Sequence, residues 1–161
     1  ETDLVIMGHP PQGLDLTLQP FAPNPHVIVA APEHALARAR RIALKRIAEE
    51  TFLLREPGSG TRLLMERVFA EHGLAVNASM EIGSDETIKQ AVMAGMGIGF
   101  LSSHTVQLEL QAKRLVMLDV VGFPIVRNRY IVHRTDKHLS PVARAFKEFL
   151  LREAATLGPK R

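Results

Sequence analysis

Short apolar runs typical of β-strands alternate along this chain with segments whose apolar residues recur at helical spacing. A buried strand reads as a continuous run of Val, Ile, Leu and Phe, whereas a helix repeats its apolar residues every three or four positions. The predicted strands cover residues 4–7, 14–20, 25–32, 51–54, 80–83, 97–103, 115–121 and 129–134. Because helical segments separate several of them, the sequence predicts an α/β fold with mainly parallel strand pairing.

Two predicted helices have recognisable N-terminal caps. Ser84 or Asp85 can cap a helix that ends at Gly95, and its predicted buried stripe consists of Ile88, Ala91 and Val92. Ser140 can cap a last helix with Pro141 at its first position, and its predicted buried stripe consists of Val142, Phe146, Phe149 and Leu150. Further helices are predicted within 35–50, after the loop at 55–62, and from about 105 to 111. The run at 4–7 is predicted to be a buried strand.

Composition sets the broad class of the protein. The chain has 161 residues, which is enough for one ordinary domain or two small lobes. Cysteine is absent, so disulfides and thiolate chemistry are excluded, and this composition fits a reducing, cytoplasmic compartment. No apolar run approaches the roughly 20 residues that would span a membrane. The first residue is not Met and stands directly before a strand, so we expect N-terminal sequence to be missing.

The loop R-E-P-G-S-G-T-R at 55–62 lies between a predicted strand and a predicted helix. It lacks the Lys of a nucleotide-binding P-loop, the third Gly of a dinucleotide fingerprint and the pattern of a hydrolase elbow. The histidines show no close ligand pair, and no local signature of a catalytic triad is present. The sequence therefore predicts neither an enzyme nor a metal or cofactor site.

The loop nevertheless has a physical property that favours the binding of an anion. The backbone N–H groups of Gly58 to Thr61 would be unpaired at the positive end of a helix, where carboxylates and phosphates bind. Ser84 begins a second helix after a second strand, so both helix starts can share one sheet edge. Taken singly, Ser59, Thr61 and Ser84 read as helix caps; taken together, the two loops predict a ligand cleft. A binding site without a nucleophile favours a sensor over a catalyst.

Several segments resemble the effector-binding domain of LysR-type transcriptional regulators. They are D-L-V-I-M-G-H-P-P at 3–11, E-H-A-L-A at 33–37, the loop at 55–62, E-I-G-S-D-E-T-I-K-Q-A-V-M-A-G-M-G-I-G-F-L-S at 81–102, and S-P-V-A-R-A-F-K-E-F-L at 140–150. The likeness covers nearly the whole chain in the family's order. The M-G-H-P-P segment, followed by F-A-P-N-P-H-V-I-V-A-A-P, is most similar to regulators of the RuBisCO (Calvin-cycle) operons.

The resemblance implies two Rossmann-like lobes of the periplasmic-binding-protein (type 2) kind with a small effector between them. Lobe I would take residues 1–36 and 120–161 and would be truncated at its N-terminus, and lobe II would take residues 37–119. The implied partners are a small anionic, phosphorylated metabolite or NADPH, promoter DNA through a missing winged helix-turn-helix, and further copies of the chain in a dimer or tetramer. The resemblance implies neither a resident cofactor nor a membrane partner.

Carried over by position, the resemblance implies a set of effector-binding residues. They are Gly58, Ser59, Gly60, Thr61, Arg62, Gly83, Ser84, Ser102 and Ser103 from lobe II, with Gly8 and His9 as contributors from lobe I. Arg62 can bond an anion or pair with a neighbouring Glu. The family's other lobe I contacts lie in sequence that this chain lacks, and Ala35 replaces the Pro that the family usually has.

Three alternatives remain open from the sequence alone. A solute-binding protein for uptake shares the two-lobed architecture but needs export. An enzyme on the same scaffold would turn over a metabolite. Direct DNA binding by this segment would need the basic run at 38–46 or a similar patch, and would be strongly salt-dependent.

Overall fold

A computed structural model describes residues 2–8, 10–11 and 13–154. In chain order its elements are β1 (Val5–Met7), β2 (Leu16–Ala30), α1 (Leu44–Ala48), β3 (Phe52–Arg55), α2 (Gly60–Glu71), β4 (Ala78–Ile82), α3 (Asp85–Met93), β5 (Ile98–Ser102), α4 (Gln107–Gln111), β6 (Val116–Met117), β7 (Ile125–Arg134) and α5 (Pro141–Glu153). None of the described helices is long and apolar enough to cross a bilayer.

The chain divides into two compact units. Unit 1 comprises Glu1–Asn24 and Val126–Arg161, and unit 2 comprises Pro25–Ile125. The divisions fall inside the long strand β2 and at the start of β7, whereas the resemblance placed the lobe boundaries near residues 36 and 120. The assignment of residues to lobes therefore stays a prediction.

Unit 2 contains a mixed β-sheet. Strand β3 pairs in parallel with β4 on one side and with β5 on the other. Strand β5 then pairs antiparallel with the part of β2 that belongs to unit 2, and β2 also pairs antiparallel with the short β6. The prediction of an α/β fold is confirmed, but mainly parallel pairing is wrong because parallel bonding is confined to β3, β4 and β5 among the described strands.

Alternation along the strands of unit 2 gives the sheet two apolar faces. On one face Ile28, Phe52 and Phe100 pack with residues of α1 and α2. On the other face Val27, Leu53 and Leu101 pack with the stripe of α3 that the sequence predicts, namely Ile88, Ala91 and Val92. Successive strand residues point to opposite faces, so helices cover both sides and continuous apolar runs result.

Unit 1 pairs β1 with β7 antiparallel, and β7 lies beside β2. Its buried residues include Ile131 and Val132 on β7 and Ala143 on α5. The prediction that residues 4–7 form a buried strand is wrong, because Val5 is 39% and Ile6 46% exposed. The described part of unit 1 supplies no layer over these side chains.

The predicted buried stripe of α5 is also wrong. Ser140 does cap the helix by accepting a hydrogen bond from the Ala143 amide at 3.2 Å, as predicted. However, Val142 is 79% exposed, and Phe146 and Phe149 are each 47% exposed. Ala143 is the buried residue of α5 among those described, and Leu150 of the predicted stripe is partly buried, so Val142, Phe146 and Phe149 are left largely at the surface. Periodicity found the stripe but not the direction it faces.

Other differences concern the extent of elements. The predicted strands at 14–20 and 25–32 form the single strand β2, because proline keeps an extended φ even though it donates no ladder hydrogen bond. In the segment 35–50 only the short α1 is α-helical. The predicted strand at 115–121 is reduced to β6 and an isolated bridge between Ile42 and Val120.

Gly97, at the turn into β5, offers a test of the packing around this strand. A Cβ at this position would lie 2.6 Å from the backbone oxygen of Thr51, which accepts a hydrogen bond from the Ile98 amide. We expect Gly97→Ala to lower the free energy of unfolding by about 1–3 kcal/mol, as overpacking does. Urea denaturation measures the change. Gly83→Ala is the matched control, because a Cβ there meets nothing within 4 Å, and an equal loss in both variants would contradict the assigned clash.

Candidate functional site

Three loops of unit 2 follow the ends of adjacent parallel strands. Arg55 on β3 is paired with Ile82 on β4, and β5 runs parallel to β3 on its other side. Parallel strands end at the same edge of a sheet, so residues 56–59, 83–84 and 103 begin there together. The structure thus brings the predicted residues of unit 2 to one sheet edge, where ligands bind in open α/β sheets.

The N-terminus of α2 lacks a side-chain cap and has backbone amides without an acceptor among the described residues. Ser59 is the N-cap residue, with φ −61° and ψ 132°, but its side chain makes no capping hydrogen bond. Gly58 has φ +87°, which favours glycine. No acidic residue occupies the first turn, and the amides of Gly60, Thr61 and Arg62 have no acceptor within the described part of the chain. The prediction of an unpaired amide is wrong for Ser59, whose N–H donates to the Glu56 backbone oxygen at 3.1 Å. This helix therefore presents unpaired N–H groups at its positive end.

The N-terminus of α3 already has a capping hydrogen bond and acidic residues in its first turn. Ser84 Oγ accepts a hydrogen bond from the Thr87 amide at 3.3 Å, so its interpretation as a cap is confirmed. Asp85 and Glu86 place carboxylates in the first turn, where they interact with the positive end of the helix. The two helix starts are therefore electrostatically unlike, and α2 is the one better suited to attract an anion.

Arg55, the last residue of β3, links the two helix starts. Its guanidinium donates to Glu56 at 2.7 and 2.9 Å and also to the carboxylate of Asp85. Pairing with Glu56 raises the pKa of Arg55, and Asp85 adds to the rise. The hydrogen bond from Arg55 in turn lowers the pKa of Glu56. The sequence alone predicts no role for Arg55; its position at a strand end before the glycine-rich loop is the signal that could have indicated one.

Arg62 is committed to carboxylates. Its guanidinium donates to Glu66 and to Glu81, each at 2.7 Å, and to the backbone oxygen of Arg55 at 3.1 Å. The hydrogen bond to Glu66 is the main cause that raises the pKa of Arg62, followed by that to Glu81. The sequence predicts that Arg62 either binds an anion or pairs with a neighbouring Glu. In the structure it pairs with Glu66 and Glu81. An anion at this edge would therefore rely on the backbone amides and hydroxyls of the loop.

Ser102 is the last residue of β5, and Ser103 follows it. Ser102 is buried, and its Oγ accepts from the His104 amide at 3.3 Å. The Ser103 amide donates to the Pro25 oxygen at 2.8 Å. Opposite Ser102 in the strand register lies His26, which is buried and stacks on Phe100 with ring centroids 5.4 Å apart. His26 is a buried polar residue at this edge that the sequence patterns do not predict.

The two predicted residues of lobe I belong to unit 1. Gly8 follows β1 and is exposed, and His9 lies outside the described residues. Among the residues that the structure describes, no group of three His, Asp or Glu side chains could hold a metal ion.

Comparison with known proteins identifies the family to which this geometry belongs. Residues 1–155 match the family described as LysR substrate binding domain. The chain is 50% identical over 155 residues to the RuBisCO operon transcriptional regulator of Allochromatium vinosum, and 51% identical over 154 residues to the regulator CbbR of Rhodospirillum rubrum. Each alignment covers 96% of this chain and 51% of the relative, so the chain spans about half the length of these relatives.

Solved structures with the same fold include regulatory domains bound to small molecules. The CcmR regulatory domain of Synechocystis PCC6803, solved with 2-PG, is 39% identical, with a TM-score of 0.92 over 98% of this chain and 76% of that one. The effector-binding domain of QuiR, solved with shikimate, has a TM-score of 0.84 at 24% identity over 97% of this chain and 73% of that one, and shows the fold alone. These similar proteins are named as regulators and not as uptake proteins or enzymes, which favours the hypothesis of a regulator's effector domain over both of those alternatives.

The link through Arg55 generates a pH-dependent prediction. Because the folded pKa of Glu56 is depressed from its ordinary 4.5, this carboxylate stabilises the fold above that pH and loses its contribution as the pH falls through the folded pKa. In Arg55→Gln we expect the pKa of Glu56 to rise towards 4.5, with a weaker loss of stability in acid. Carboxyl-detected NMR titration measures this pKa. Arg67→Gln, which removes a pair with Glu71 elsewhere on α2, should leave it unchanged; an unshifted Glu56 in Arg55→Gln would refute the link.

Proposed function

This chain belongs to the family of LysR substrate-binding domains, the effector-binding part of LysR-type regulators, and we propose that it senses a small phosphorylated anion. The observation that carries the proposal is the similarity to the CcmR regulatory domain, whose structure contains 2-PG. That relative is 39% identical over nearly the whole of this chain. Its ligand, 2-phosphoglycolate, carries both a phosphate and a carboxylate.

The start of α2 supports an anionic effector in this chain. The Gly60, Thr61 and Arg62 amides have no acceptor among the described residues, and the first turn has no acidic residue. Amides at the start of a helix bind phosphate through hydrogen bonds and through the helix dipole. We assign the effector-binding role to Gly58, Ser59, Gly60 and Thr61, with the hydroxyl of Thr61 as a further donor.

The remaining predicted residues take supporting roles in this proposal. Ser84 holds α3 through its cap, and Arg55 fixes α3 beside the first loop through Asp85. Arg62 holds α2 against β4 through Glu81. Gly83, Ser102 and Ser103 lie at the same sheet edge, where a larger effector would reach them, and Gly8 and His9 remain proposed contributors from the other part of the chain.

The regulatory consequence concerns the whole protein. We propose that the complete regulator acts in the cytoplasm as a homodimer or homotetramer and binds promoter DNA through a winged helix-turn-helix outside this chain. The relatives at 50% and 51% identity are named as transcriptional regulators, one of them of the RuBisCO operon. A ligand shifts such a regulator only by its differential affinity for two states, typically by about 1–3 kcal/mol of coupling.

Ligand-induced stabilisation tests the effector class. Saturation with 2-phosphoglycolate at 100-fold above Kd should raise the unfolding free energy by about 2.7 kcal/mol. Shikimate, which lacks a phosphate, serves as the control ligand and should give a much smaller shift. Thermal unfolding monitored by circular dichroism measures both. If neither 2-phosphoglycolate nor any other phosphorylated metabolite shifts the transition, the proposed effector class is wrong.

A matched pair of variants tests the amides directly. Gly60 is the first residue of α2 and follows Ser59 in extended conformation, so proline is tolerated there and removes one amide donor. We expect Gly60→Pro to bind the phosphorylated ligand at least about tenfold more weakly than Gly60→Ala, because a hydrogen bond to a charged group contributes about 1.5–3 kcal/mol. Both variants add a Cβ, and only the proline removes the N–H. Equal affinities, measured by titration calorimetry, would argue against recognition by this amide.

A further inference from the structure

Unit 1 carries a recess in whose lining cationic side chains outnumber carboxylates. Its volume is about 410 Å³, which lies within the range of small-molecule pockets. The lining combines the end of β7, the following loop and one face of α5; its members are His133, Lys137, His138, Leu139, Arg144, Lys147, Glu148 and Leu151. Three of these side chains carry a fixed positive charge, against the single carboxylate of Glu148. The effector site proposed above uses none of these residues.

One of the three cations is already compensated. The ammonium of Lys137 lies 2.9 Å from the carboxylate of Asp3 and donates to the Thr2 backbone oxygen at 3.1 Å. Arg144 and Lys147, by contrast, have no carboxylate within 4.0 Å in the part of the chain that the structure describes. Glu148 forms no ion pair with Arg144, although the two lie four residues apart on α5. Arg144 and Lys147 therefore have no ion-pair partner among the described residues, although the carboxylate of Glu148 also lines the recess.

Lys147 is held in an unusual environment for a lysine. It lies half-buried on α5, one turn after the buried Ala143. Its ammonium is 3.3 Å from Nε2 of His133, and Nδ1 of the same ring is 2.9 Å from the Arg134 backbone oxygen. With the proton on Nδ1, Nε2 accepts a hydrogen bond from the ammonium and Nδ1 donates to the carbonyl oxygen. The ammonium thus contacts an imidazole nitrogen and not a carboxylate.

We propose that this recess is a second anion site, specific for a phosphate group on a small metabolite. A phosphate dianion is opposite in charge to Arg144 and Lys147, the two cations without an ion-pair partner among the described residues. The guanidinium of Arg144 can donate two parallel hydrogen bonds, and the ammonium of Lys147 has two donors beyond the one used by His133. His138, which also lines the recess, can supply a ring N–H as a further donor. The site lies wholly within unit 1 and does not depend on the effector proposed for the start of α2.

Histidine-ring NMR on the 161-residue chain tests the proposal. The probe is inorganic phosphate, added at constant ionic strength, and the signals are the ring protons and carbons of His133 and His138. We expect these signals to shift saturably, and we expect the Arg144→Gln/Lys147→Gln double variant to weaken the apparent affinity by about tenfold or more. The control is Arg38→Gln/Lys45→Gln, which removes the same charge from two exposed positions in unit 2, and its titration should match the unaltered chain.

Several outcomes would overturn the second site. Shifts that grow without saturation, or that are equal in the two double variants, would mean that phosphate only screens surface charge. A short DNA duplex that moves the His133 and His138 signals at concentrations where phosphate does not would assign the recess to a nucleic-acid surface instead. The amide signals of Gly60 and Thr61, followed in the same titration, report the effector site separately, so a failure there does not affect the result for unit 1.

Discussion

Parallel hydrogen bonding of β3 with both β4 and β5 is the constraint on which the candidate site depends. It makes three strands end at one edge, so the loop before α2, the loop before α3 and the serines after β5 start from neighbouring positions. Had any of these strands run antiparallel, its following loop would begin at the opposite edge of the sheet. Residues separated by more than 40 positions in sequence, such as Thr61 and Ser102, share a sheet edge for this reason.

Charge compensation then distinguishes loops that look alike in sequence. Both helices begin after a glycine and a serine, yet α3 has a capping hydroxyl and two carboxylates whereas α2 has neither. The two arginines nearest to this edge are also paired with acids: Arg55 with Glu56 and Asp85, and Arg62 with Glu66 and Glu81. What is left for an anion is the set of unpaired amides on α2, which are neutral donors of fixed geometry. Such donors are preorganised and need no movement of a charged side chain to bind.

The similarity of the chain to known regulators agrees with the proposal that backbone amides of α2, rather than the paired arginines, bind the effector. Identity of 50% to a RuBisCO operon transcriptional regulator and of 51% to the regulator CbbR accompanies a structural match to a regulatory domain solved with 2-PG. The same fold recurs at 24% identity in a domain solved with shikimate, so the architecture accommodates chemically different ligands. The fold therefore does not select the ligand; in the function proposed above, the donors at the strand ends do.

The sequence by itself determined the family, the α/β class, most helices and strands of unit 2, and the cap residues Ser84 and Ser140, because these follow from local periodicity and short-range hydrogen bonds. Tertiary structure alone decided that β2 is one strand, that pairing is mixed, and that Val142, Phe146 and Phe149 of α5 face outward. It also decided the partners of Arg55 and Arg62 and placed Lys147 beside His133. These features depend on which segments, distant in sequence, come into contact. A sequence pattern shows which side of a helix or strand is apolar, but it does not show which part of the protein packs against that side.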